Sequence, residues 1–278
     1  MKNKVLTGLL LVLIGGWGNL LAQNAGSNYA RQVNTLIGTK GVGLTSGYLY
    51  PGATYPYGMV QFTPSYFSKR SGFVINQLSG GGCEHMGNFP TFPVKGKLKM
   101  SPDNILNYRI NISEEKGHAG YYEAMVQEDI KAKLTVTERT GMASYEYPAD
   151  QQYGTVIIGG GISATPIEQA AIVITAPNKC EGYAEGGNFC GLRTPYKVYF
   201  VAEFDADALE SGTWKRDELK PNTTFAEGEY SGVYFTFDVS KKKNVQYKIG
   251  VSYVSVENAR ENLKAENTGW DFLQIQNQ

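Results

Sequence analysis

The chain has little of what most catalytic and metal centres are built from. Its 278 residues include two histidines, His85 and His118, and three cysteines, Cys83, Cys180 and Cys190. No Cys-x-x-Cys spacing occurs, so no zinc site is expected. Between residues 24 and 113 the acids are Glu84 and Asp103 alone, which leaves that stretch poor material for a carboxylate pair in acid–base roles. Excess charge is also missing, with 26 Lys and Arg against 26 Asp and Glu. A phosphate backbone selects a basic surface, so nucleic acid is not a partner. The glycine runs Gly38-x-x-Gly41-x-Gly43 and Gly80-Gly81-Gly82 lead into neither a helical pattern nor a Gly-Lys-Ser/Thr turn, which rejects phosphate cradling.

A membrane-spanning run is lacking too. Lys2 and Lys4 precede an apolar stretch from Val5 to Leu13 that Gly15, Gly16, Gly18 and Asn19 interrupt, and Ala22 offers a small residue for cleavage. The stretch falls short of the roughly 20 apolar residues a span needs. This pattern predicts a signal peptide over 1–22 and a mature chain of 278 − 22 = 256 residues, secreted or periplasmic. An oxidising compartment favours disulfides. Cys180 and Cys190 flank a Gly-rich stretch, 181–189, read as a loop; they form either a local disulfide or two buried thiols, with Cys83 the odd one.

What the chain has in quantity is glycine, 33 residues, and aromatics, 12%. Runs at 121–126, 130–137, 143–147, 196–204, 232–238 and 245–253 alternate apolar and polar residues, while 155–158 and 171–175 are continuously apolar. Turn residues separate them. That spacing predicts a mostly β protein, a large antiparallel β-sandwich. A helix is expected only from Ser255, a capping residue before Val256, Ala259 and Leu263. It reads as a connector spanning 255–278 behind a sandwich domain of 23–254. Trp270 and Phe272 in it are expected to be exposed and poorly packed, the mark of a second domain not included.

Several segments together resemble family 92 of the glycoside hydrolases. They are Val33 to Thr39 (Val-Asn-Thr-Leu-Ile-Gly-Thr), Tyr50 to Pro64 (Tyr-Pro-Gly-Ala-Thr-Tyr-Pro-Tyr-Gly-Met-Val-Gln-Phe-Thr-Pro), Gly72-Phe73 and Leu78 to Cys83 (Leu-Ser-Gly-Gly-Gly-Cys). Gly87 to Pro90, Gly120 to Tyr122, Leu134 to Arg139, Gly187 to Gly191, Val198 to Phe200 and Ser255 to Ala259 are similar as well. The resemblance implies the N-terminal β-sandwich, of galactose-mutarotase or supersandwich type, of an exported, calcium-dependent, inverting α-mannosidase. In that family a separate (α/α)6 domain supplies the acid, the base and most of the calcium environment. No catalytic residue and no metal ligand is therefore carried over, and calcium is expected only for the complete enzyme. The implied partners are a mannose-containing glycan and the (α/α)6 domain, in cis or in trans.

The candidate carbohydrate-binding residues follow from the loops that the family uses to line the sugar site: Gly41, Gly43, Asn76, Gln77, Ser79, Cys83, His85 and Asn88. Amides such as Asn76, Gln77 and Asn88 both donate and accept, as paired sugar hydroxyls require. Where many family members read His-Thr-His, this chain reads Ile75-Asn76-Gln77. Tyr48, Tyr50, Tyr55, Tyr57, Tyr66 and Phe67 are candidate platforms for a pyranose face, or else core and interface packing. Glu203 and Asp205, two apart on one strand run, are the remaining candidate carboxylates. The expected function is the substrate-lining domain of an α-mannosidase, inactive by itself; the alternative is a stand-alone carbohydrate-binding or surface protein.

Overall fold

The computed structural model describes residues 29–39, 49–65, 72–80, 83, 85–103 and 111–278, so the predicted signal peptide lies outside the described residues. The chain divides into two compact units, Met1–Val33 and Asn34–Gln278. In the first, Tyr29–Gln32 forms a 3-10 helix.

The second unit holds two antiparallel sheets. One runs in the order β1 (Ala53–Thr54), β2 (Gln61–Pro64), β3 (Phe73–Val74), β4 (Thr91–Lys95), β9 (Tyr153–Gly159), β16 (Ser231–Asp238), β13 (Glu210–Lys215), β14 (Glu218–Pro221). The other runs β15 (Phe225–Glu227), β10 (Ile167–Ala176), β11 (Lys179–Phe189), β12 (Leu192–Phe204), β17 (Asn244–Ser252), β8 (Thr140–Glu146), β7 (Ile130–Val136), β6 (Tyr121–Val126), β5 (Ile112–His118). Alternation in the sequence becomes alternation in burial: every second residue of β6 is buried, the others half-buried. The apolar runs become inner strands, since all of β9 after Tyr153 is buried.

Rings from the two sheets meet in the middle. Phe204 of β12 lies 4.9 Å from Phe235 and 5.1 Å from Phe237 of β16, and 5.4 Å from Tyr247 of β17. Phe73 of β3 stacks on Tyr145 of β8 at 6.3 Å and stands edge-on to Tyr122 of β6. Such pairs contribute about 0.5–1.5 kcal/mol each beyond their buried area.

Two helices follow β17, α1 (Val256–Glu266) and α2 (Phe272–Gln276). Ser255 caps α1, accepting from the Asn258 amide at 3.0 Å. Ala259 and Leu263 pack with Val201 on the outer face of the second sheet, above Gly250, where a Cβ would meet the Ala259 carbonyl at 2.5 Å. Glu266 accepts from the Arg139 amide at 2.8 Å and from the Thr137 hydroxyl at 2.6 Å. The end of the chain is better packed than its sequence suggests. Lys248 lies with Nζ 4.5 Å from the Trp270 ring and donates to the Asn267 carbonyl at 3.0 Å, and Phe272 stands edge-on to Tyr121 at 6.2 Å. Both rings are half-buried. No helix among the described residues is long and apolar enough to cross a membrane.

The first sheet admits no side chain at Gly232, where a Cβ would fall 2.2 Å from the buried Trp214 ring and 2.3 Å from the Ile158 carbonyl. Gly232→Ala is expected to lower stability by at least about 2 kcal/mol, as overpacking against backbone does. Gly269→Ala, where an added Cβ would stand 4.0 Å from the Asp271 amide nitrogen, should stay within about 0.5 kcal/mol; equal urea midpoints for the two variants would contradict the packing. Burial also raises the pKa of Tyr122, Tyr145, Tyr147 and Tyr247. The folded state thus keeps protons that the unfolded chain releases above about pH 10. Stability is full below that pH and falls as pH rises beyond it, so the urea midpoint at about pH 11 should lie below that at about pH 8, with the phenolate absorbance of these four rings appearing only on unfolding.

Candidate functional site

The segment linking β3 to β4 brings the sequence-predicted amides together. Its two ends clasp: the Ile75 amide donates to the Asn88 carbonyl at 3.3 Å, and the Asn88 amide donates to Asn76 Oδ1 at 2.8 Å. Asn76 Nδ2 donates to Asn88 Oδ1 at 3.1 Å. Two tyrosines, Tyr196 of β12 and Tyr253 just past the end of β17, close the cluster. Tyr196 donates to Asn88 Oδ1 at 2.9 Å; Tyr253 accepts from Asn76 Nδ2 at 3.4 Å and donates to Met86 Sδ at 3.7 Å. Burial pushes the Tyr196 phenol up to about 12, against the lowering pull of its Asn88 and Ser163 contacts, so it remains a neutral donor at physiological pH.

These bonds fix the Asn88 amide with its oxygen satisfied and its nitrogen not. Among the described residues, Asn88 Nδ2, both amide atoms of Gln77 and His85 Nδ1 are buried without a hydrogen-bond partner. Gln77 is 1% exposed and Asn88 0%. An unpaired buried polar group costs about 1–3 kcal/mol, so a cluster of four marks a place where ordered water or ligand hydroxyls complete the bonding. The His85 ring sits 5.1 Å from Phe189 and 5.6 Å from Tyr196.

The backbone beneath is strained. Met86, Gly87 and Phe89 adopt φ of 58°, 77° and 53°, a left-handed conformation that is uncommon outside glycine and concentrates at functional sites. Gly87 supplies the turn that lets the Gln77 amide carbon lie 3.6 Å from where a Cβ would stand. Phe89 holds the segment in the core, 4.2 Å from Phe200.

Other expectations fare differently. Gly41, Gly43, Glu84, Tyr48, Tyr66 and Phe67 lie outside the described residues, and Ser79 is half-buried at the rim. Tyr50 is buried, while Tyr57 is fully exposed. The Cys180–Cys190 disulfide is corrected: Cys83 bonds to Cys190, and Cys180 is a buried thiol. The reason is topological. Residues 181–189 are not a loop but most of β11, and ten residues of extended chain hold Cys180 and Cys190 about 33 Å apart. Cys83 is thus no free contact residue; it ties the amide segment to the β11–β12 turn.

Glu203 accepts from Lys179 at 3.0 Å and lies 3.7 Å from Lys248; Asp205 accepts from the Gln246 amide at 2.9 Å and pairs with Lys242. Both carboxylates are taken up in structural pairs. Among the described residues no three His, Cys, Asp or Glu side chains converge as a metal site. Sequence reasoning missed Tyr196 and Tyr253, which no local pattern distinguishes from other strand tyrosines.

The disulfide closes a separation of 107 residues, for which chain entropy predicts a contribution of about 4.7 kcal/mol. Replacing Cys83 and Cys190 together by Ser is expected to lower stability by several kcal/mol and to change the Tyr196 environment. A non-reduced digest should yield one cross-linked peptide pair containing Cys83 and Cys190, with Cys180 labelled only after unfolding; a Cys180-containing cross-link would refute the pairing.

The same architecture occurs in known proteins. A family GH92 glycosyl hydrolase, ccman5, aligns with a TM-score of 0.76 at 22% identity, covering 90% of this chain and 36% of that one. A family GH92 α-mannosidase from Bacteroides thetaiotaomicron aligns with a TM-score of 0.74 at 24% identity, covering 88% and 36%. An uncharacterized secreted glycosidase of Arthroderma benhamiae is 25% identical over 284 residues, 88% of this chain and 36% of its own. The chain therefore spans about a third of the length of these relatives. Residues 32–252 match the glycosyl hydrolase family 92 N-terminal domain, and the chain belongs to that family.

Proposed function

We propose that this chain is the substrate-lining N-terminal domain of an exported α-mannosidase that degrades mannose-containing glycans, and that it has no hydrolytic activity alone. The match over 32–252 to the family's N-terminal domain carries the reading. Inverting hydrolysis needs an acid and a base about 6.5–9.5 Å apart, and Glu203 and Asp205 are engaged by lysines instead. The acid, the base and any calcium belong to a further domain, the (α/α)6 partner, acting in cis or in trans. This chain contributes binding and orientation. Asn76, Gln77 and Asn88 offer neutral donors and acceptors to hydroxyls, and the Tyr196 donor holds the Asn88 amide in one orientation. Export follows the signal-peptide pattern and agrees with the secreted relative.

The test is turnover and titration on the mature chain. No release from an activated α-mannoside is expected with or without calcium. Methyl α-mannoside should bind on the order of millimolar, roughly 4 kcal/mol, and Asn76→Ala with Gln77→Ala should weaken it about fivefold per lost bond. Turnover abolished by Asp205→Asn would overturn the reading, as would sugar shifts that bypass residues 75–88. Micromolar binding by the isolated chain would favour a stand-alone carbohydrate-binding protein.

A further inference from the structure

Beside the amide cluster lies a cleft of about 270 Å³ lined by Pro166, Glu168, Gly187, Asn188, Gly191 and Arg193. We propose that it is a second glycan subsite, taking a neutral sugar unit further along the chain whose terminal sugar meets Asn76, Gln77 and Asn88. The inference rests on the function proposed above. The volume is near the lower end for ligand pockets, which suits one sugar ring rather than an extended ligand.

The lining chemistry selects the class. Arg193 grips Glu168 bidentately, Nε to Oε1 at 3.2 Å and Nη2 to Oε2 at 3.1 Å. The pair cancels its own charge, so the cleft has no surplus cation for a phosphate or carboxylate. It retains guanidinium N–H groups and carboxylate lone pairs beyond that fork, and the two side chains stay 73% and 42% exposed. A vicinal diol, which donates and accepts at once, matches such a pair. Asn188 adds an amide whose Oδ1 is already fixed by the Gly191 amide at 3.0 Å, leaving its nitrogen available. Pro166 supplies an apolar wall for a ring face.

The walls are also pre-formed. At Gly187, φ is 140° and a Cβ would stand 2.0 Å from the Thr194 carbonyl, so no side chain fits there. The turn continues through left-handed Cys190 and Gly191, and Cys190 is bonded to Cys83. Two segments join the cleft to the cluster. Phe189, between Asn188 and Cys190, packs on His85, and Ala164, two residues before Pro166, donates its amide to the Met86 carbonyl at 2.8 Å. On that ridge Thr165 Oγ1 is buried without a partner among the described residues.

The experiment is an NMR titration of the mature chain with methyl α-mannoside, with a linear α-linked mannotriose, and with inorganic phosphate. The trisaccharide, and not the monosaccharide, should shift the amides of Gly187, Asn188 and Gly191. Arg193→Ala and Asn188→Ala should each weaken trisaccharide binding, roughly tenfold for the arginine, and leave methyl α-mannoside unchanged. Arg193→Lys, which keeps charge and loses the fork, should rescue only in part. Because these side chains are exposed, the variants should keep the wild-type urea midpoint. Trisaccharide shifts at 75–88 with none at 187–193 would overturn this inference alone. Shifts at 187–193 with none at 75–88 would overturn the amide-cluster reading and leave the cleft as the binder. Competition by phosphate would refute the neutral-ligand argument.

Discussion

The meeting of aromatic rings from the two sheets is the contact on which the rest depends. Phe204, Phe235, Phe237 and Tyr247 interlock at one part of it, Phe73, Tyr122 and Tyr145 at another, and Phe89 with Phe200 at the edge nearest the amide cluster. Left-handed backbone at Met86 and Phe89 costs of order 1–3 kcal/mol per residue. Burying a large side chain in full contributes about 1.5–3 kcal/mol, and a ring pair adds about 0.5–1.5 kcal/mol. Phe89, 1% exposed and 4.2 Å from Phe200, therefore offsets the strain of the segment that it terminates. The amides are held in place because the core holds Phe89.

Charge is distributed so that the cluster stays neutral. Three carboxylates at the second sheet are engaged: Glu203 by two lysines, Asp205 by Lys242 and a backbone amide, Glu266 by Arg139 and Thr137. Among the described residues the cluster consists of amide, phenol and imidazole groups. Such groups bind hydroxyls by hydrogen bonds worth about 1 kcal/mol each and cannot supply the paired acid and base that glycoside hydrolysis needs. Groups of this kind suit the orienting role proposed above rather than the bond-breaking step itself.

Much of the sandwich was legible because burial follows local pattern. The 121–126 alternation is β6, the 155–158 run lies inside β9, and Ser255 caps α1 as its sequence implies. β11 was not legible, since Glu181, Gly182, Glu185, Gly186 and Gly187 have the composition of a loop. It is a strand because Gly182 lies against the Ala171 carbonyl, 2.1 Å from where a Cβ would stand, a close approach that only the neighbouring strand can demand. β1 to β4 were hidden for a related reason: they are short, and β4 takes as partner β9, which is distant in sequence. The amides were visible as residue types, and their clasp was not, because Tyr196 and Tyr253 arrive from another sheet.

Misreading β11 also hid the disulfide, and the corrected pairing changes what the two regions are. Had Cys180 and Cys190 bonded, the link would have closed a short local loop and left the amide segment free to move. Cys83 instead fastens that segment to the β11–β12 turn across 107 residues, while Phe189 beside the bond packs on His85 and Met86 receives the Ala164 amide. A covalent bond and a ring contact thus join the amide segment to the β11–β12 turn, and a backbone hydrogen bond joins it to the stretch before β10. Displacing the amide segment alone would break contacts of three kinds at once. The cluster and the cleft are thus linked, and linked surfaces would lose less entropy in binding the extended ligand proposed above than two independently ordered loops would.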